Sequence, residues 1–340
     1  MTRSPDNYTL PFPEPENEPE LVAATAPASE PDPARQAAEF QTAEVSPIDA
    51  PYDLETALGA PPEPEIPTRR SPARIPSLLD AVFFGLLLVI GFAVSTGALA
   101  LALHIHLFGL RNFAQAQSNT AVALGTELII YLVALLGAVP FFRTSWNRDF
   151  FSGLQWHAGT AFRLSWRLGI AAILCNLLAI LVDQIVPYPA HAPIDKLFST
   201  QTDAWLLFIF GVTVAPFFEE MIFRGFLLPA VASAWDWCME RVTGTVPRPL
   251  DHEGNPQWSR AAMTAAAMLI SAPFAMMHAE QVNQSLGPLI LLYFVSLALC
   301  TVRFATRSLA ASTLTHSAYN FILFAMMFIQ TDGFRHLDKM

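Results

Sequence analysis

The sequence is short of charge and of cysteine. Only 14% of its 340 residues are charged, against 53% hydrophobic. That balance argues against a soluble globule and suits a chain that crosses a membrane repeatedly. The three cysteines, Cys175, Cys238 and Cys300, stand far apart, mostly among apolar neighbours. With no CxxC or other metal spacing, neither a disulfide framework nor a cysteine metal site is expected, and all three are read as buried, inert thiols. The N-terminus lacks a basic stretch followed by an apolar one, so no cleavable secretory leader is expected. HExxH, GxSxG and GxGD are also missing. Their absence removes ordinary zinc-helix spacing, the serine elbow and an aspartyl pair of the intramembrane type.

The charge that exists is unevenly placed. Residues 1–66 hold fourteen acids, two arginines and thirteen prolines, a net charge of −12. The whole chain is −10, so residues 67–340 carry +2. The segment 1–66 cannot bury enough apolar surface to offset its ordering entropy and is expected to be a disordered acidic tail, partly polyproline II.

After "RRSPAR" the hydropathy changes. Seven apolar segments are expected as membrane helices, at about 79–103, 119–142, 168–186, from Ala204 onward, 261–278, 286–302 and 309–329. Each approaches the length needed to span about 30 Å of hydrocarbon. The fold class is therefore all-α: a polytopic transmembrane bundle of seven to eight helices. The expected divisions are the tail (1–66), N-terminal transmembrane helices (67–200) and a catalytic transmembrane region (201–340). Arg69, Arg70 and Arg74 precede the first segment, and alternate loops after it carry Arg143, Arg148, Arg163, Arg167, Arg241, Arg248, Arg260, Arg303 and Arg307. The intervening loops hold only Arg111 and Lys196. This bias predicts a multi-pass protein with its N-terminus in the cytoplasm.

Three polar groupings interrupt the oil. The stretch "PFFEEMIFRGFLLP" places Glu219, Glu220 and Arg224 in the fourth segment. On a helix, Glu220 and Arg224 share a face and can pair, with the acid in the better N-terminal position. Glu219 is rotated about 100° from Glu220 and is left without an obvious partner. Ionisable groups inside a membrane are functional candidates for that reason. "FAMMH" sets Phe274 and His278 on one face of the fifth segment, and "HSAYN" sets His316 and Asn320 on one face of the seventh. Singly, each grouping could be an ion pair, an interfacial histidine or interhelical hydrogen bonding. Together they form a plausible hydrolytic set: a carboxylate as general base, imidazoles to assist or to bind a metal, an amide to serve an oxyanion.

The order EExxxR, FxxxH, HxxxN over roughly residues 200–330 resembles the CPBP family, which includes type II CAAX prenyl endopeptidases and bacteriocin-immunity or abortive-infection proteins. The resemblance implies an intramembrane protease in which Glu219 and His278 activate water while His316 and Asn320 stabilise the oxyanion. Glu220 and Arg224 would form a supporting ion pair beside Phe274. It leaves open metal-free glutamate chemistry or a divalent metal (Zn2+), for which Glu219, His278 and His316 would be three ligands with a fourth position for water. The expected partners are a membrane-associated peptide or protein substrate and the lipid bilayer, with no nucleic acid. The rival readings are a non-catalytic immunity or binding protein of the same fold, and a transporter whose path is lined by Glu127, Asp183 and the motif charges.

Helix arithmetic poses one difficulty. At 1.5 Å per residue, Glu219 falls near the cytoplasmic end of the fourth segment, His316 roughly 10 Å below that face, and His278 nearer the opposite face. Convergence requires tilted or broken helices, with Pro216, Gly225 and Pro229 as sites for a kink, or a fourth segment that continues to about Trp235.

Overall fold

The computed structural model describes residues 76–186, 193–248, 250, 255 and 257–337. The acidic tail expected over 1–66 lies outside the described residues. Seven long helices carry the fold: α1 (Leu78–His104), α2 (Thr120–Trp146), α3 (Ser165–Ile185), α4 (Gln201–Thr243), α5 (Arg260–Met277), α6 (Leu286–Thr306) and α7 (Leu309–Gln330). Shorter helices and turns connect them, and no β-strand forms among the described residues. The helices begin where the sequence supplies a cap. Ser77 and Asp80 close a capping box on α1, and Asn119, Thr200, Ser259 and Ser308 cap α2, α4, α5 and α7.

Helices α1 to α6 are long and apolar enough to cross a membrane. They make this a multi-pass membrane protein. Helix α7 is of spanning length but too polar to count among those six. The reason is its position: most of its first half is buried against other helices, with Ser312, Thr313, Thr315 and His316 among the buried residues. A helix surrounded by protein has no need of a lipid-facing surface.

Helix α1 lies on α2, and both contribute to an aromatic core with α4, where Phe84 stacks on Phe226 at 4.3 Å and Tyr131 on Phe218 at 4.4 Å. The contact of α1 with α2 is close. A Cβ on Gly91 would lie 2.6 Å from the carbonyl oxygen of Ile130, so only glycine permits this approach. Ala262 and Ala266 of α5 are fully buried in a cluster with Leu228 and Ala232 of α4. Asn176 of α3 donates to the carbonyl of Tyr319 in α7 at 3.3 Å.

The arginine-bearing loops gather at one end of the bundle. There the Leu309 amide donates to the Gln155 carbonyl and Ser308 Oγ donates to the carbonyl of His157. At the other end, Thr120 Oγ1 donates to the Leu197 carbonyl and the Ile194 amide to that of Gln281. One sequence expectation fails here. Cys175 and Cys300 are buried, but Cys238 is exposed, because α4 runs past its neighbours' apolar faces before it reaches that residue.

Helix α4 is not a simple span. Its 43 residues include two π-helical stretches, Phe210–Val214 and Met221–Leu227. Pro216 and Pro229 each sit just after a π segment, at the start of the α-helical pieces Ala215–Glu220 and Leu228–Thr243. A widened turn accommodates the missing proline N–H without ending the helix. The expected kink is therefore spread over two π turns, and the helix continues past Trp235 to Thr243.

Candidate active site

The depth difficulty is resolved by where α5 begins. The Ser259 amide donates to Asp236 Oδ2 at 2.7 Å, and Trp258 Nε1 donates to Ser233 Oγ at 2.9 Å. Helix α5 thus starts beside residues 233–236 of α4 and runs back along it. From Ser259 to His278 is about 28 Å of helix rise, and from Asp236 back to Glu219 is about 26 Å. The two side chains come level because α4 overshoots and α5 starts beside the overshoot. Counting α5 from the membrane edge misplaces His278 by that overhang.

Glu219, His278 and His316 meet. Glu219 Oε1 is 3.9 Å from His278 Nε2, and Glu219 Oε2 is 3.6 Å from His316 Nε2. The carboxylate is only 7% exposed and His316 4%. His278, at the C-terminal end of α5, holds its Nδ1 2.9 Å from the carbonyl oxygen of Phe274. A carbonyl can only accept, so that nitrogen carries a proton and a neutral imidazole turns the lone pair of Nε2 toward Glu219. The acceptor is one of the last four carbonyls of α5, where the helix itself no longer supplies every partner.

Glu220 and Arg224 are completely buried, with Nη1 of the arginine 2.9 Å from Oε1 of the glutamate. Arg224 Nη2 also donates to the carbonyl and hydroxyl of Ser296 at 3.0 and 2.7 Å, tying α4 to α6. The guanidinium lies 4.5 Å over the ring of Phe274. That ring is also 5.2 Å from His278 and 5.9 Å from His316, so it packs against three members of the cluster. His316 Nδ1 is 3.1 Å from Glu220 Oε1. One imidazole therefore spans both glutamates, a link that helix periodicity within α4 could not reveal.

Asn320 lies one turn beyond His316 and donates from Nδ2 to the carbonyl oxygen of Gly211 at 2.7 Å. Gly211 is in the first π segment of α4, where the usual i to i−4 pairing is displaced and a carbonyl is released for a side chain. The second N–H of that amide remains to serve another acceptor.

Two further residues approach the cluster. Tyr131 of α2, stacked on Phe218, donates to Glu127 Oε1 at 2.7 Å. Glu127 lies close enough to Glu219 for their charges to interact. The sequence marks Glu127 as an embedded acid but not as a neighbour of the motif. Ser296 carried one weak signal, a lone hydroxyl in "YFVSLAL". Asp183, the other embedded acid, is exposed near the end of α3. No group of three or more histidine, cysteine, aspartate or glutamate side chains arranged to hold a metal ion occurs among the described residues.

A buried carboxylate between two imidazoles, with an amide one turn away, supplies groups able to activate a water and to donate to an oxyanion. Residues 201–322 match the family model of the type II CAAX prenyl endopeptidase, Rce1-like. The match takes in α4, α5, α6 and the part of α7 that bears His316 and Asn320, and it agrees with the CPBP resemblance of the motifs. No curated protein and no solved structure matches the chain. Helices α1 to α3 lie outside the Rce1-like segment, although α2 supplies the Glu127–Tyr131 pair.

Proposed function

We propose that the protein is an intramembrane endopeptidase that hydrolyses a peptide bond of a membrane-associated substrate, of the CAAX type or one related to it. The observation that carries this reading is the convergence of Glu219, His278 and His316 from three helices at 3.6 and 3.9 Å in a buried setting.

Water bound against Glu219 and His278 Nε2 attacks the scissile carbonyl carbon and gives its proton to the Glu219 carboxylate. The carbonyl oxygen takes the negative charge as the tetrahedral intermediate forms. His316, doubly protonated, gives Nδ1–H to Glu220 and Nε2–H to that oxyanion beside the second N–H of Asn320, and a preorganised, poorly hydrated site stabilises the charge more strongly than water would. Collapse breaks the C–N bond, and Glu219 returns its proton to the departing amine. Glu220 accepts from both Arg224 and His316 and so holds the second imidazole in place.

The test uses purified full-length protein in liposomes with a prenylated CAAX-type peptide, reading the released C-terminal peptide by mass spectrometry. Release by the wild type and none by Glu219→Gln is expected. A folded wild type that releases nothing from this peptide, while cleaving other membrane peptides, would set aside the CAAX substrate class. Cleavage of no peptide at all would set aside the protease.

A further inference from the structure

The arginine-rich end contains a polar cavity, of about 260 Å³, whose wall includes Gln155, Arg248, Gln257, Trp258, Arg303 and Arg307. None of the proposed catalytic residues lines it, so its occupancy is independent of the peptidase reading. Arg303 is the unusual member. It is 4% exposed, deep at the end of α6. Its Nη2 donates to Gln155 Oε1 at 2.7 Å and more weakly to the Leu154 carbonyl at 3.4 Å. Its Nε has no hydrogen-bond partner among the described residues, and no carboxylate among them lies within ion-pair distance of it. Glu220 is the acid whose charge reaches it, and that acid is already engaged by Arg224 and His316. A buried guanidinium served only by neutral oxygens is costly unless an anion joins it.

The position of the cavity indicates the anion. Trp258, in its wall, bonds to Ser233, and just beyond on α4 the exposed Trp235 and Trp237 begin a run of interfacial type. Arg241 lies 3.9 Å over the Trp237 ring. Tryptophan and arginine collected at one end of apolar helices mark the headgroup level of a bilayer. Phosphate oxygens are the anions concentrated there, and the guanidinium fork matches two of them at once.

We infer that this cavity binds a phosphate oxyanion, presented by an anionic phospholipid headgroup or as free phosphate, with Arg303 as the buried anchor and Arg248 at the exposed rim. The competing occupant is internal. Asp251 and Glu253 lie between Arg248 and Asn255 in sequence, outside the described residues, and a carboxylate from either one on Arg303 predicts no response to added phosphate.

The experiment takes full-length protein, delipidated in a neutral detergent, and follows thermal unfolding in four solutions. Two contain phosphatidylglycerol or phosphatidylcholine, and two contain inorganic phosphate or chloride at equal ionic strength. Phosphatidylglycerol should raise the melting temperature above phosphatidylcholine. Arg248→Gln should weaken the apparent affinity about tenfold, and Arg303→Lys, which keeps the charge but loses the fork, should abolish the difference. A response to phosphatidylglycerol alone assigns the site to the membrane, whereas a response to inorganic phosphate shows that the free ion suffices. Arg248 is exposed, so its variant decides the matter if Arg303→Lys does not fold. Equal melting in all four solutions, or a phosphate response untouched by either substitution, would overturn the inference.

Discussion

Replacing Arg224 by alanine should unfold the protein more readily than any other single change in the cluster. The side chain is wholly buried, bonds Glu220 at 2.9 Å and Ser296 through two further contacts, and covers the ring of Phe274. Truncation leaves the Glu220 carboxylate in a low-dielectric site with only His316 as a charged partner. Removing one member of such a pair costs roughly 3–5 kcal/mol. By the scaling of soluble domains, that loss lowers the melting temperature on the order of 10 °C. The assay is thermal unfolding in detergent beside activity per folded molecule. Adding Glu220→Gln to Arg224→Ala should recover part of the loss, since the stranded charge is then removed. An Arg224→Ala protein within about 1 kcal/mol of wild type would show that the pair does not hold α4 to α6. Glu220→Ala should lower stability in the same way. It should also cost activity beyond the loss of folded protein, because it releases His316.

Four other outcomes follow from the geometry. His278→Ala should lower turnover by about 10²–10⁴-fold with normal accumulation in the membrane, checked by cleavage per folded molecule. Asn320→Ala should reduce kcat by about 10²–10³-fold with little change in KM, whereas a purely structural tie to Gly211 would appear as lost stability instead. Gly91→Ala must push α1 away from Ile130, and an overpacking cost of about 1–3 kcal/mol should appear in the melting temperature. If Glu219 alone activates the water, exhaustive chelation should leave turnover unchanged; activity lost to chelator and restored by zinc would show that Glu219, His278 and His316 close on an ion.

Much of the bundle was legible because membrane helices announce themselves by length and hydropathy. The match over residues 201–322 bears out the resemblance carried by the three motifs. Depth was not legible. A hydropathy run shows where a helix can sit in lipid, but not that α4 continues to Thr243 or that α5 starts beside Asp236. The π turns were equally hidden, since Pro216 and Pro229 signal a disturbed ladder without saying whether it bends or widens. Pairing within one helix was foreseeable, and Glu220 does meet Arg224. Pairing between helices was not, so the contacts of His316 with Glu220, Arg224 with Ser296 and Tyr131 with Phe218 appear only in three dimensions. Cys238 was misread for a related reason, since an apolar neighbourhood in sequence does not ensure burial on a helix that outruns its neighbours.

The most direct test of the central claim compares protein termini in membranes from cells that carry equal amounts of wild type or Glu219→Gln. The substitution is nearly isosteric and removes the proposed base while leaving Glu220, Arg224 and both imidazoles in place. Terminus-selective mass spectrometry should reveal at least one membrane-associated protein that is shortened with the wild type and accumulates uncleaved with the variant. Identical termini in the two membranes, with both proteins folded and present, would contradict glutamate-dependent proteolysis by this site.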